Sequence, residues 1–204
     1  MAKPGHALPG FPLPLRGPRV LLRLPRLSDA PALAAFLNDP TVSRSMLRMP
    51  FPYTLQNANR WIRQSRRMLR AGQAIHLLME NRENGELLGG IALSDFDWVQ
   101  RSAILGYWVA RRHRGNGYAG EATSVLSRTA FRVLKLHRIE AEVFAFNSAS
   151  AHVLRKLGFA AEGRKRQAAR KGTRWFDRDL YGLLATEFRP FLAPPAKGRR
   201  SSRR

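Results

Sequence analysis

The chain has 204 residues, with 36 Lys and Arg against 14 Asp and Glu, a formal net charge of +22. It contains no cysteine, which excludes disulfides, thiolate metal sites and cysteine nucleophiles. Apolar residues make up 44%, enough for one domain with a real core, and no apolar run is long enough to span a bilayer.

The five histidines (His6, His76, His113, His137 and His152) show no HExxH spacing, so no metal site is expected. Pro4, Pro9, Pro12 and Pro14 interrupt the N-terminus, which lacks the layout of a signal peptide; a cytoplasmic protein with no membrane partner is the expectation. Residues 196–204 hold five basic residues and no acid, and residues 163–179 hold seven basic residues against two acids. Such a balance attracts polyanions, either nucleic acid (as in ribosome or RNA association) or phosphorylated cofactors. A plain solubility role fits the same charge.

Residues 1–15, rich in Pro and Gly, read as a flexible extension. Residues 19–24 alternate and predict a first strand. Ser28 and Asp29 offer a helix cap, with Pro31 tolerated in the first turn, for a helix to about Leu37. Thr54 caps a second helix whose apolar face carries Ala58, Trp61, Ile62, Ser65, Met68 and Leu69; Arg60, Arg63, Arg66 and Arg67 lie opposite. Two apolar runs, 74–79 and 87–93, flank a turn with Asn84-Gly85 and predict a hairpin. A strand over 102–110 runs into "RRHRGNGYAGEA", and Ala122, Val125, Leu126, Thr129 and Val133 keep helical spacing after it. A strand over 137–146 and a short helix ending at Gly158 follow. Residues 177–188 close the sheet or the helix set. The pattern predicts one α+β domain over 16–190, with a basic tail over 191–204.

Gly115-x-Gly117-x-x-Gly120, with Glu140 about twenty residues on, copies the glycine pattern of a dinucleotide turn. That turn follows the first strand of a βαβ unit, whereas here four strands precede it and "RRHR" intervenes. The simpler physics is a strand, a glycine loop and a helix start. Free N–H groups and the positive helix end then converge on one anion, with Arg111, Arg112 and Arg114 around it.

Arg112-x-x-Gly115-x-Gly117, Asn147-x-x-Ser150 and Lys156-Leu157-Gly158-Phe159 together resemble the GNAT N-acetyltransferases, in the RimJ/RimL-type branch that acetylates ribosomal-protein N-termini. The resemblance covers residues 16–187. It implies a mixed, mostly antiparallel twisted sheet flanked by helices, with a splayed central strand pair, and acetyl-CoA as co-substrate. It implies that Tyr107, Trp108 and Val109 offer backbone to the pantetheine arm. Arg112, Arg114, Gly115, Asn116, Gly117, Tyr118 and Ala119 would form the pyrophosphate loop, and Asn147 would contact the arm. Many relatives carry a Tyr acid where this chain has Leu154, which shifts the implied thiolate-protecting role to Ser150. A Glu common in the strand before the loop is replaced by Ile104. Glu142 is the base candidate carried forward, beside Asp95, Asp97 and Glu121.

The implied acceptor is a primary amine, foremost a protein N-terminal α-amine. An α-amine near pKa 8 needs less help than a lysine near 10.4. A small-amine or antibiotic acetyltransferase, and a non-catalytic ribosome- or RNA-binding module of the same fold, are the alternatives. A monomer or homodimer is expected from the family.

Overall fold

The structure, a computed structural model, describes residues 8, 10–46 and 49–191. Phe11 and Leu15 are buried in the core, so part of the Pro- and Gly-rich N-terminal stretch is packed. Leu15–Arg16 form β1, paired with β2 (Val20–Arg23). The basic residues 196–204 lie outside the described residues.

The helices start where their capping chemistry allows. Asp29 precedes α1 (Ala30–Leu37), with Pro31 in its first turn. The carboxylate does not cap that helix; it accepts from the Arg26 amide and the Arg23 guanidinium. A short α2 (Pro40–Ser43), not anticipated from sequence, begins where Asp39 accepts from the Thr41 amide. Thr54 Oγ1 accepts from the Asn57 amide and starts α3 (Leu55–Arg70), which buries Ala58, Ile62 and Ser65 and turns its arginines outward.

The predicted hairpin is β3 (Ala74–Asn81) and β4 (Leu87–Asp97), joined through Gly85 at φ +73°. Then come β5 (Ser102–Val109), α4 (Tyr118–Val133), β6 (Arg138–Phe144) and α5 (Ser148–Lys156). Two long strands follow, β7 (Ala160–Lys171) and β8 (Arg174–Leu184). Sequence reading missed β7 because nearly every residue of it is exposed, which leaves no apolar alternation to detect.

The eight strands form one sheet in the order β1-β2-β3-β4-β5-β6-β8-β7, antiparallel except for β5 and β6. Helices α4 and α5 cover one face, where Ile75, Leu93, Leu105 and Ile139 meet Leu126 and Leu154. Helices α1 and α3 cover the other, where Leu78 and Trp108 meet Leu33 and Ile62. The parallel pair runs in register only from Ser102↔Arg138 to Leu105↔Ala141. Beyond that point β5 keeps β4, through Gly89↔Val109, while β6 keeps β8, through Phe144↔Arg178. The two central strands therefore part, and residues 106–109 lose a strand neighbour on one side. Among the described residues, no helix is long and apolar enough to cross a membrane, and no group of three or more His, Asp or Glu is placed to hold a metal.

A buried ion cluster fastens the first layer to the sheet. Arg23 lies 2.8 Å from Asp29 and 2.5 Å from Glu80, joining β2, the start of α1 and β3. Burial alone would raise the Asp29 carboxyl, but the hydrogen bonds from Arg23 and the Arg26 amide outweigh it and hold the group below its ordinary value. A depressed carboxyl adds stability above its unfolded pKa, near ~3.9, and loses it as pH falls through the folded value. Asp29→Asn should therefore cost about 3–5 kcal/mol in urea unfolding at pH 7, because it leaves a buried guanidinium half-paired. The gap to the parent chain should narrow when the melt is repeated toward pH 3. An equal gap at both pH values would contradict this role.

Candidate active site

The parting of β5 and β6 opens a cavity of about 1600 Å3 that reaches both faces of the sheet. On the α4–α5 side it is bounded by Tyr107, Ser150 and Val153, and on the α1–α3 side by Trp61, His76 and Trp108. Residues alternate along β5, so Leu105, Tyr107 and Val109 face one layer and Ile104, Gly106 and Trp108 the other.

The glycine loop forms one end of this cavity. Gly115 and Gly117 adopt φ +78° and +79°, a left-handed conformation that costs other residues about 1–2 kcal/mol. Gly117 is the N-cap of α4. Among the described residues, the backbone N–H groups from Gly115 to Gly120 donate no hydrogen bond. Such a run of orphan donors at a helix N-terminus suits an anion. Arg114 closes the rim, donating through Nε to the Val109 carbonyl at 3.1 Å and through Nη1 to Thr41 at 3.2 Å. Lys156, on α5, also lines the cavity.

The second cation at the loop is not the one expected. Arg112 lies outside the cavity: its guanidinium pairs with Glu86 at 2.6 Å and stacks over Phe36. The 3-10 turn at Arg111–His113 swings it away from the glycines. Arg19 takes that place. It donates to the Asn116 carbonyl at 3.0 Å, lies over the Tyr118 ring, and keeps a buried Nη2 without a partner. Glu121 holds it there, accepting from Arg19 Nε and from the Arg19 and Val20 amides. Glu121 is 2% exposed and fully engaged, so it is a brace rather than a base. No sequence signal marked Arg19, which stands about a hundred residues before the loop.

Asn147 is the N-cap of α5; its Oδ1 accepts from the Ser150 amide at 3.2 Å, and both residues line the cavity. The Tyr107 hydroxyl lies 2.7 Å from Ser150 Oγ and donates to the Ser150 carbonyl at 3.2 Å. Sequence reasoning used Tyr107 only for its backbone. Its phenol is pushed up to about 12 by burial, partly offset by the Ser150 hydrogen bond. Leu154, at the position where relatives carry a Tyr, is fully buried in the core.

The acidic candidates are occupied. Glu142 borders the cavity one residue past the last β5–β6 pair, but Oε1 accepts from Lys165 at 2.9 Å. Its Oε2 lies 2.7 Å from Arg178 Nη1, an ion pair without the alignment of a hydrogen bond. Asp97 caps the β4–β5 turn through the Val99 and Gln100 amides, and Asp95 accepts from Ser94; neither borders the cavity. Glu140 pairs with Arg138. Ile104 leaves no carboxylate on β5.

This arrangement of splayed parallel pair, glycine loop and helix start is that of an acyltransferase. Residues 19–160 match the acetyltransferase (GNAT) domain, and the chain belongs to that family, in its RimJ/RimL-type branch. It is 32% identical to the uncharacterized N-acetyltransferase p20 of Bacillus licheniformis, over 83% of this chain and 95% of that one. The structure of Mycobacterium smegmatis RimJ in complex with CoA-disulfide superimposes with a TM-score of 0.77 at 28% identity, covering 85% of this chain and 87% of that one. The fold is shared by RimL, a ribosomal L7/L12 alpha-N-protein acetyltransferase, with a TM-score of 0.76 at 20% identity over 84% and 93% of the two chains. The protein is thus an acetyl-CoA-dependent N-acetyltransferase, and the unpartnered amides and cations at its loop fit a phosphorylated thioester.

The Tyr107 assignment has a spectroscopic consequence. Because its phenol stays neutral to about pH 12, Tyr107→Phe should leave the phenolate absorbance of the folded protein at pH 10.5 unchanged. Loss of a full tyrosinate signal in that variant would show that the Tyr107 hydroxyl titrates freely.

Proposed function

We propose that the chain transfers an acetyl group from acetyl-CoA to the N-terminal α-amine of a protein, with ribosomal proteins as the foremost candidates. The observation that carries this reading is the through-sheet cavity, with an amide cradle at one end and an aromatic-walled opening on the opposite face. The cradle, Gly115 to Ala119 with Arg114 and Arg19, binds the diphosphate. The β5 backbone that faces the gap past Leu105, at Tyr107 and Val109, aligns the pantetheine arm, while the Trp108 backbone faces Gly90 of β4, and Asn147 borders the arm. Ser150, backed by Tyr107, donates a hydrogen bond to negative charge developing on sulfur. Acetyl-CoA supplies the activated acyl group; the chain positions it and excludes water.

Two features favour an α-amine over other acceptors. The cations bordering the cavity (Arg19, Arg60, Arg114, Lys156) outnumber the acids (Glu83, Glu142), which disfavours a polycation. An α-amine near pKa 8 is also partly unprotonated at neutral pH, so modest assistance suffices. The shared fold of RimL, which acts on a protein α-amine, agrees with this choice. Ribosome or RNA association would draw on the basic β7–β8 hairpin, where Arg170 stacks on Trp175 and Arg174 on Phe176.

Calorimetric titration with acetyl-CoA and with NAD, followed by mass spectrometry of protein N-termini from cells with and without the chain, tests the proposal. Acetyl-CoA binding and loss of N-terminal acetylation are expected. NAD binding alone, or acetylation of small amines alone, would overturn it. Ser150→Ala should lower turnover more than tenfold, a loss of at least ~1.4 kcal/mol of transition-state stabilisation, with cofactor affinity nearly intact. Unchanged turnover would remove Ser150 from the mechanism. Gly117→Ala should instead weaken acetyl-CoA binding about tenfold, since its Cβ at φ +79° lies 3.3 Å from the Phe191 ring.

A further inference from the structure

The carboxylate that relatives carry on β5 is absent. Of the two acids bordering the cavity, Glu142 is paired and Glu83 stands in the β3–β4 turn, seven residues along the chain from His76, so the acceptor's proton lacks an evident carboxylate beside the β5–β6 gap. An imidazole without a hydrogen-bond partner lies on the acceptor face. His76, on β3, borders the cavity, and neither of its ring nitrogens bonds to protein among the described residues. Its Nδ1 is buried without a partner. By elimination, Nε2 is the nitrogen open to the cavity.

The register puts His76 in a row with the opening. His76 pairs with Ala92 on β4, and Ala92 pairs with Gly106 on β5, so all three share the α1–α3 face. Two strand spacings separate His76 from Gly106, roughly 10 Å between Cα atoms. The floor between them is a methyl group and a bare glycine. A Cβ on Gly106 would meet nothing within 4 Å, and Gly106 is the first β5 residue past the end of the β6 pairing. Trp61 stands edge-on to the imidazole, with ring centroids 5.7 Å apart, and Trp108 fills the space over Gly90. The ring is therefore fixed beside an open, small-residue floor where an amine can approach.

Resting on the acetyltransferase reading, we propose that His76 is the proton acceptor for the incoming amine. The amine nitrogen forms its bond to the acetyl carbon, and its surplus proton passes to His76 Nε2. The carbon–sulfur bond breaks, and its electron pair leaves on sulfur, which meets the Ser150–Tyr107 hydroxyls on the other face. The proton then departs to solvent through the cavity mouth.

The surroundings keep the ring neutral and ready. Burial lowers its pKa below the ordinary value. The charged groups bordering this face are Arg60 on α3 and Glu142 on β6, the latter answered by Lys165 and Arg178. Tyr53, before α3, is pushed up to about 12 by burial and stays neutral. The α1 residues facing the cavity, Leu33 and Leu37, are apolar.

The test uses the full chain with a serine-initiated hexapeptide and glycinamide as probe amines. His76→Gln should bind acetyl-CoA within twofold of the parent by calorimetry and melt at a similar temperature. Its turnover should fall at least tenfold, and the acidic limb of the kcat–pH profile should disappear. His76→Ala guards against a rescue by the Gln amide. A second arm needs no turnover: in 15N spectra of the parent chain with CoA, the His76 imidazole should titrate below the ordinary histidine value, and Nε2 should shift when either amine is added. Equal turnover in His76→Gln, an imidazole half-protonated above pH 6.5, or an Nε2 resonance blind to both amines would overturn the proposal. Failure of the parent chain to bind acetyl-CoA would instead strike the acetyltransferase reading itself.

Discussion

Everything in this molecule turns on one broken pairing. β5 and β6 run side by side for four residue pairs and then separate, each keeping its outer neighbour. Buried backbone without partners is costly, at about 1–3 kcal/mol per group, so a fold keeps such a gap only where something else satisfies it or where water reaches it. Here the gap opens onto a cavity, and the loop that continues β5 adds a second run of unpaired amides at the start of α4. The two runs lie along one path from the helix end to the middle of the sheet. An extended ligand with an anionic head and an amide-bearing arm matches that path.

The scaffold around the gap is rigid where it has to be. Arg19 is clamped by a buried Glu121, so β1–β2 and α4 share one ion pair beside the loop. Asn147 caps α5, and its cap partner is Ser150, whose hydroxyl is held in turn by Tyr107. A residue expected from the sequence to contact the ligand is thus a structural fixture that sets the position of Ser150. Glu142 shows the opposite case: its position beside the gap suits a base, but Lys165 and Arg178 occupy both oxygens.

Much of this was legible in the sequence, for physical reasons that can be named. Thr54, the apolar stripe of α3 and Asn84-Gly85 announced their elements through capping, periodicity and turn chemistry. The glycines at 115 and 117 announced a backbone only glycine adopts readily. What the sequence hid was of two kinds. β7 carries charge on both faces, so its period is invisible, and it was read as a basic stretch rather than as the edge of the sheet. Contacts across a hundred residues were hidden too: Arg19 with the loop, and Tyr107 with Ser150. Arg112 lies within the motif yet turns to Glu86, because spacing fixes a residue's position along the chain but not the direction of its side chain.

The most direct measurement of the central claim is amide hydrogen exchange, residue by residue, with and without acetyl-CoA. The account predicts that the amides of Gly115 to Gly120 and of Tyr107 and Val109, which face the gap, slow by more than tenfold when the thioester binds, while those of the β7–β8 hairpin do not change. Protection confined to other parts of the chain, with the loop and the β5 end exchanging as before, would contradict it.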